Sequence, residues 1–443
     1  MSDNKKSPLV KILRVGLAGL GNVGAGTFKI LEQNAKLIEQ RTGTRIVVTA
    51  VCARNKTKDR GIDLSKVTWV ETPESLIDLP DVDVIVEVMG GEGDPALSLV
   101  RGTLQKGKAV VTANKALLAY HGMELAELSA QNNAPLFYEA AVAGGIPIIK
   151  MLREGLAANR ISGLYGIMNG TCNYILTTME KTGRDFADVL NDAQNLGYAE
   201  ADPTLDVGGG DSGHKLVLLS ALSYGCQPDF QNLSVEGIDR LSADDIVIAG
   251  EFGARIKLIG QAVKLDDGRI LQMVSPCLVP KTSPLAHVDD ALNGILMHGD
   301  FVGPSFVEGR GAGEGPTASA IVADLMDLAC LRTCGAIRPV FGAEPHDLKA
   351  APSASRDDWT GEFYMRLVVH DRPGVIAEIS PGLRDHKISI ESLIQRGRSE
   401  DQPVNIVITT HETTGASLRQ ASEKIELLPN VLAAPLVLPI LKI

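Results

Sequence analysis

Between residues 200 and 215 the chain sets four carboxylates, Glu200, Asp202, Asp206 and Asp211, ahead of one lysine, Lys215. Asp211 and Lys215 are spaced i, i+4, which places them on one face of a helix running to Tyr224. Leu216 to Leu219 follow directly, so this helix is expected to be buried beyond its first turn. A lysine at the rim of a buried helix can be tuned toward neutral pH and can then move a proton to or from an oxygen. A surface ion pair is the plain alternative. The extra carboxylates and the glycines Gly208–Gly210 just upstream make it less attractive.

A second chemical feature is "GLGNVGAGT", residues 19–27. Gly19, Gly21 and Gly24 form G-x-G-x-x-G after an apolar strand run and before a helical period. In that context the first glycine permits the turn and the second lets backbone approach a pyrophosphate. The third allows helix and strand to pack closely, and the helix N-terminus faces the anion. Asn22 and Val23 complete the candidate cofactor loop. A plain strand-to-helix turn would look the same. The second strand ends "VCARNKTK", with Arg54, Lys56 and Lys58 where an NAD enzyme usually carries an acid. This cationic cluster suits a 2′-phosphate, hence NADP, with NAD as the alternative cofactor and a solvated charge run as the bland one.

These residues need elements to hold them. From 11 to 140, short apolar runs alternate with helical periods, which implies an α/β, Rossmann-type parallel sheet with helices on both faces. One helix is expected across "NVGAGTFKILEQNAKLIEQ". Beyond 150 the pattern becomes α+β, with helices from 171 to 224 and strands near 230–238, 254–264 and 270–280. A helix near 316–340 is expected to return to the first domain. "AEPHDLKAAPSASRDDWTGEF" has no period and reads as a linker. A βαββαβ pattern starts at Phe363. The expected domains are therefore 1–150, 151–340, a linker at 341–361, and 362–443.

Composition bounds the function. The 443 residues carry a net charge of −11, which argues against duplex nucleic acid as a partner. No apolar run reaches the length of a membrane span. The lysine-bearing start imitates a signal peptide, but Arg14 and the following glycines spoil it. The six cysteines form no CxxC or zinc spacing, so a reduced, cytoplasmic setting is expected. Cys172, at the start of a helix in "NGTCNYIL", raises one rival chemistry, a thiol-dependent semialdehyde dehydrogenase. A nucleotide-fold amino-acid sensor without catalysis is another.

"GYAEADPTLDVGGGDSGHK", with "GLGNVGAGT", "VTANKALLA", "EAAVAGGIPII" and "NGTCNYIL", closely resembles the homoserine dehydrogenase family over residues 10 to about 340. The resemblance implies reversible NAD(P)H-dependent reduction of L-aspartate 4-semialdehyde to L-homoserine, in threonine, methionine and isoleucine biosynthesis. It implies that Lys215 donates and accepts the proton, that Asp211 orients the substrate hydroxyl, and that Lys115 sits between nicotinamide and substrate. Glu200 and Asp206 would lie in the substrate pocket, where acids suit an ammonium, with Tyr198 and Thr171 beside them. It also implies a sodium ion held by Glu139 and the carbonyls of Val142, Gly144 and Ile146, which is hard-cation chemistry; a glycine turn without an ion is the alternative. Gly313, in "GRGAGEGPTASA", joins the cofactor set, or serves as a structural turn.

Residues 362–443 resemble an ACT domain through "VVHDRPGVIAEISPGLRDHKISIESL". Such domains pair with a second copy and bind amino acids, so the expected partners are a small-molecule substrate, an amino-acid effector such as L-threonine, and a second chain in a homodimer or homotetramer. A dimerisation module without ligand is the alternative. A chain ending near Glu344 is expected to stay active and lose its response to threonine.

Overall fold

The computed structural model describes residues 11–334, 338–396 and 403–443. The lysine-bearing start at 1–10, part of the expected returning helix (335–337) and Gly397 at the end of an expected strand lie outside these residues. The chain divides into two compact units. One comprises Met1–Asn159, Val217–Phe230 and Gly309–Ala350; the other comprises Arg160–Leu216, Gln231–Glu308 and Ala351–Ile443. The units interleave along the chain, whereas the expected borders at 150, 340 and 361 follow sequence order. Among the described residues no helix is long and apolar enough to cross a membrane.

The first unit is built on a parallel sheet in the spatial order Thr68–Trp69, Thr44–Cys52, Lys11–Ala18, Val84–Glu87, Ala109–Thr112, Leu136–Phe137. Val84–Glu87 and Ala109–Thr112 are buried at every position, as strands covered on both faces must be. Lys11–Ala18 pairs with Thr44–Cys52 on one side and Val84–Glu87 on the other. The strand order reverses there, and the glycine loop follows that strand directly, at the position where open α/β sheets bind ligands. The helix expected over 22–40 is two helices, Asn22–Gln33 and Ala35–Thr42, broken at Asn34. Asparagine competes with helical hydrogen bonding and is at ease at such a break. Helix Glu314–Cys334 belongs to this unit and packs on Asn22–Gln33. A Cβ on Gly26 would lie 2.7 Å from Glu314, and Lys29 Nζ sits 2.7 Å from Glu314 Oε1.

The second unit carries a long mixed sheet in the order Gly303–Arg310, Leu292–Gly299, Ile161–Ile167, Ala254–Lys264, Ile270–Pro280, Leu436–Ile440, Thr360–His370, Pro403–Thr410, Ile390–Gln395. The last four strands and helices Val375–Asp385 and Gly415–Glu426 form the βαββαβ module. It joins the rest through the bridge Leu278↔Ile440 and through Tyr364, whose hydroxyl donates to Asp245 at 2.7 Å. The strand expected near 230–238 is only Ser234–Val235.

Three strands, Ile161–Ile167, Leu292–Gly299 and Gly303–Arg310, were not expected from the sequence. Glycines interrupt the apolar alternation in them, and glycine is depleted in strands. Packing explains two of these glycines: a Cβ on Gly294 would be 2.6 Å from Val288, and one on Gly166 3.1 Å from Met168.

The stretch expected as a free linker, 341–361, is tied down along its length. Lys349 bridges to Cys226, Ser353–Ala354 pairs with Ile270–Leu271, and Asp358 accepts from Arg269 at 2.8 Å. Its polar residues serve local caps: Ser355 and Asp358 form a reciprocal capping box.

Candidate active site

In the first unit the glycine loop has the geometry its sequence implies. Gly19 has φ +100°, and a Cβ there would sit 2.7 Å from the Val88 carbonyl oxygen. A Cβ on Gly24 would be 2.2 Å from the Gly19 carbonyl oxygen, so helix and turn touch at backbone distance. At Gly21 a Cβ would meet nothing within 4 Å. Gly21 is also the N-cap of helix Asn22–Gln33 and gives it no side-chain cap, leaving the first-turn N–H groups of a helix to an outside acceptor. These residues fit a dinucleotide phosphate. Arg54, Lys56 and Lys58 are exposed after the second strand. Arg60, which sequence reasoning missed, ties that loop to the glycine loop by donating from Nε to the Leu20 carbonyl at 2.7 Å.

Two more missed residues shape the neighbouring loop. Glu87 is fully buried at the end of its strand, and burial raises its carboxyl above the usual range. It accepts from Met89 N at 2.7 Å, Gly90 N at 3.2 Å and Thr112 Oγ1 at 2.6 Å. Asn114 caps helix Lys115–Gln131 by accepting from Leu117 N, and donates to the Gly91 carbonyl at 2.6 Å. Lys115 is therefore the first residue of that helix, half-buried. A charged residue inside an apolar run and an asparagine before a helical period were the available signals.

Glu139 is 2% exposed. Its two oxygens accept from Ile149 N and Lys150 N, each at 2.9 Å, and its own N–H donates to Asp324 Oδ2 at 2.9 Å. Burial and then Asp324 push its carboxyl up to about 7; burial pushes Asp324 up to about 6. Lys150 Nζ lies 2.7 Å from Asp327 and 3.5 Å from Asp324. The Ile146 carbonyl accepts from Ile148 N at 2.8 Å. Of the four groups assigned to sodium, Glu139 and Ile146 thus already serve as backbone acceptors, with an ammonium beside the carboxylate pair. Each of these oxygens accepts one N–H and keeps a second lone pair. The glycines also have a packing reason: Gly145 N donates to Arg310 O at 3.1 Å, and a Cβ on Gly144 would be 2.4 Å from Gly311 O. The glycine loop at 309–313 is thus the surface against which Gly144–Gly145 lies. Gly313, with φ +117°, turns into helix Glu314–Cys334.

In the second unit the acidic helix forms a compact network. Lys215 is 9% exposed and Asp211 5%. Lys215 Nζ donates to Asp211 Oδ2 and to the Met168 carbonyl, both at 2.7 Å. Asn169 Nδ2 donates to Asp211 Oδ2 at 2.9 Å and to Asp206 Oδ1 at 2.8 Å. A surface ion pair is therefore excluded: this pair is buried and cross-linked.

Thr171 donates to the Tyr198 carbonyl at 2.7 Å, and the Tyr198 ring lies 4.7 Å from that of Tyr174. Glu200 is exposed, and its side chain does not join the network. Cys172 is fully buried, and burial, then Asp206 and Asp211, hold its thiol well above the ordinary value. It donates to the Asp206 carbonyl at 3.2 Å. A protonated, inaccessible thiol is not a nucleophile, which removes the covalent alternative. Met168 and Asn169 are the residues missed here; "NG" before an apolar run was the signal for a cap.

Comparison with known proteins agrees with this assignment of parts. A profile described as "Homoserine dehydrogenase, NAD binding domain" matches residues 19–139, one described as "Homoserine dehydrogenase" matches 147–326, and one for the ACT domain matches 363–429. The homoserine dehydrogenase of Neisseria gonorrhoeae is 43% identical over 95% of this chain and 97% of its own length. That of Pseudomonas aeruginosa is 40% identical over 95% and 97%. A crystal structure of a homoserine dehydrogenase from Thiobacillus denitrificans superposes with a TM-score of 0.91 at 41% identity, covering 97% of this chain and 98% of that one. With these matches in register along almost the whole length, the chain belongs to the homoserine dehydrogenase family of oxidoreductases and carries an NAD(P)-binding domain and a C-terminal ACT domain.

Proposed function

We propose that this chain interconverts L-aspartate 4-semialdehyde and L-homoserine, with Lys215 as the group that gives a proton to, and takes it from, the substrate oxygen. The observation that carries the reading is the anchoring of Lys215 Nζ by Asp211 Oδ2 and the Met168 carbonyl, both at 2.7 Å. An ammonium has three protons. Two point at these acceptors, and the third is the one for the substrate. NAD(P)H, when bound, supplies the hydride. As charge builds on the carbonyl oxygen, Lys215 stabilises it and then transfers its proton there. Asp211 keeps the ammonium oriented. Asp206 suits the substrate ammonium, with Glu200, Tyr198 and Thr171 around it. Lys115, first in its helix, adds a positive charge to the cofactor side.

NADP is the preferred cofactor in this reading, supported by exposed Arg54, Lys56 and Lys58 after the second strand. L-Threonine is the effector, acting as an end product of the pathway to threonine, methionine and isoleucine. Its support is a cavity of about 640 Å³ at the "DRPGV" turn, lined by His370, Asp371, Arg372, Gly374, Val375 and Gln395, where His370 Nδ1 is buried and has no hydrogen-bond partner among the described residues. A paired ACT domain makes a homodimer or homotetramer the working form, in the cytoplasm. Steady-state kinetics with homoserine and each cofactor, with and without threonine, test the reading. Absence of homoserine oxidation with either cofactor overturns it.

A further inference from the structure

Asn169 does two jobs with one side chain. It is the N-cap of helix Gly170–Thr182, and its Oδ1 accepts from Cys172 N at 2.8 Å. Its Nδ2 donates to Asp206 Oδ1 at 2.8 Å and to Asp211 Oδ2 at 2.9 Å. Serine, threonine or aspartate would cap the helix about as well. Of the good caps, only asparagine combines an acceptor for the helix with an NH₂ group that gives one proton to each of two carboxylates. The side chain is 5% exposed, so neither carboxylate contact is a solvent-averaged one.

The residue before it completes the arrangement. The Met168 carbonyl accepts from Lys215 Nζ, and Asp211 Oδ2 accepts from both Lys215 Nζ and Asn169 Nδ2. Two consecutive residues at the end of strand Ile161–Ile167 therefore set the lysine, Asp211 and Asp206 relative to one another. We infer that Asn169 is a positioning residue for proton transfer: it holds Asp206 and Asp211 apart as a neutral bridge and keeps Asp211 turned to Lys215. This inference rests on the assignment of the proton to Lys215. The titratable groups around it are Asp206, Asp211, Lys215 and the buried Cys172 thiol, with His214 next to Lys215 on its helix.

The test uses Asn169→Ser and Asn169→Asp in the full-length enzyme, with Lys215→Ala alongside. Both Asn169 variants keep a cap acceptor. Asn169→Ser loses the double bridge, and kcat/KM for homoserine should fall about tenfold to a hundredfold with cofactor KM unchanged. Asn169→Asp replaces the NH₂ donor by a carboxyl oxygen between Asp206 and Asp211, so the neutral double bridge is lost. With the neutral bridge between the carboxylates gone, the pH profile of kcat for homoserine oxidation should move from the parental one. If Asn169 only capped the helix, both variants would keep near-parental thermal stability, kcat/KM and pH profile. Lys215→Ala inactive while both Asn169 variants show parental pH profiles and kcat/KM overturns the positioning role alone. Lys215→Ala fully active overturns the proton assignment and this inference with it.

Discussion

Replacing Lys215 by methionine removes two buried hydrogen bonds, to Asp211 Oδ2 and to the Met168 carbonyl, while keeping most of the side-chain volume. Asp211 is 5% exposed and keeps the Asn169 donor. Leaving a buried carboxylate without its cation costs roughly 3–5 kcal/mol when no donor remains; with Asn169 still in place, roughly 2–3 kcal/mol is expected. Loss of a general acid lowers turnover by about 10²–10⁴-fold. The two effects separate in the double variant Asp211→Asn/Lys215→Met. A neutral amide no longer needs the ammonium, so most of the lost stability should return while kcat stays low. Urea unfolding, cofactor binding by fluorescence and steady-state homoserine oxidation on both variants read the three quantities. Recovery of kcat together with stability in the double variant would refute the reasoning, because inactivity would then have been a folding defect. Near-parental kcat in Lys215→Met would refute it directly.

Three further outcomes are expected. Arg54→Ala should raise KM for NADP far more than for NAD; equal effects on both would identify the cluster as a solvated face. Glu139, at about 7 against an ordinary 4.5, binds its proton more tightly when folded, so its contribution to stability is complete below the unfolded value and is lost as pH rises through about 7. Thermal stability should therefore fall between about pH 5 and 8, by up to roughly 3 kcal/mol from this group, and Glu139→Gln should flatten the slope; an unchanged slope in that variant assigns the effect to another group. Ending the chain near Glu344 would cut the Lys349–Cys226 bridge and the pairing of Ser353–Ala354, so the effector test is better made at Gly374, where φ is +96°. Gly374→Val strains that turn and should abolish threonine inhibition while leaving uninhibited kcat intact; persistence of inhibition would place the effector elsewhere.

The βα alternation was legible because strands buried on both faces must be continuous apolar runs, as Val84–Glu87 and Ala109–Thr112 are. The strands Ile161–Ile167 and Leu292–Gly299 were not, because Gly163, Gly166 and Gly294 break the same signal. The stretch 341–361 shows the same limit of composition. A polar, aperiodic stretch can be free or can be pinned by its own caps, and composition does not distinguish them.

What the sequence determined alone was local: the glycine turn, the cap positions, and the pairing of Asp211 with Lys215, all set by backbone geometry within a few residues. Tertiary structure decided which of those local features are buried and what else reaches them. Asn169 meets Asp206 and Asp211 from 37 and 42 residues away, and Glu139 meets Asp324 from 185. Such meetings follow from how strands and helices pack rather than from any periodicity. Packing also strips water from the groups it brings together, which separates a buried, anchored lysine from an ordinary surface pair.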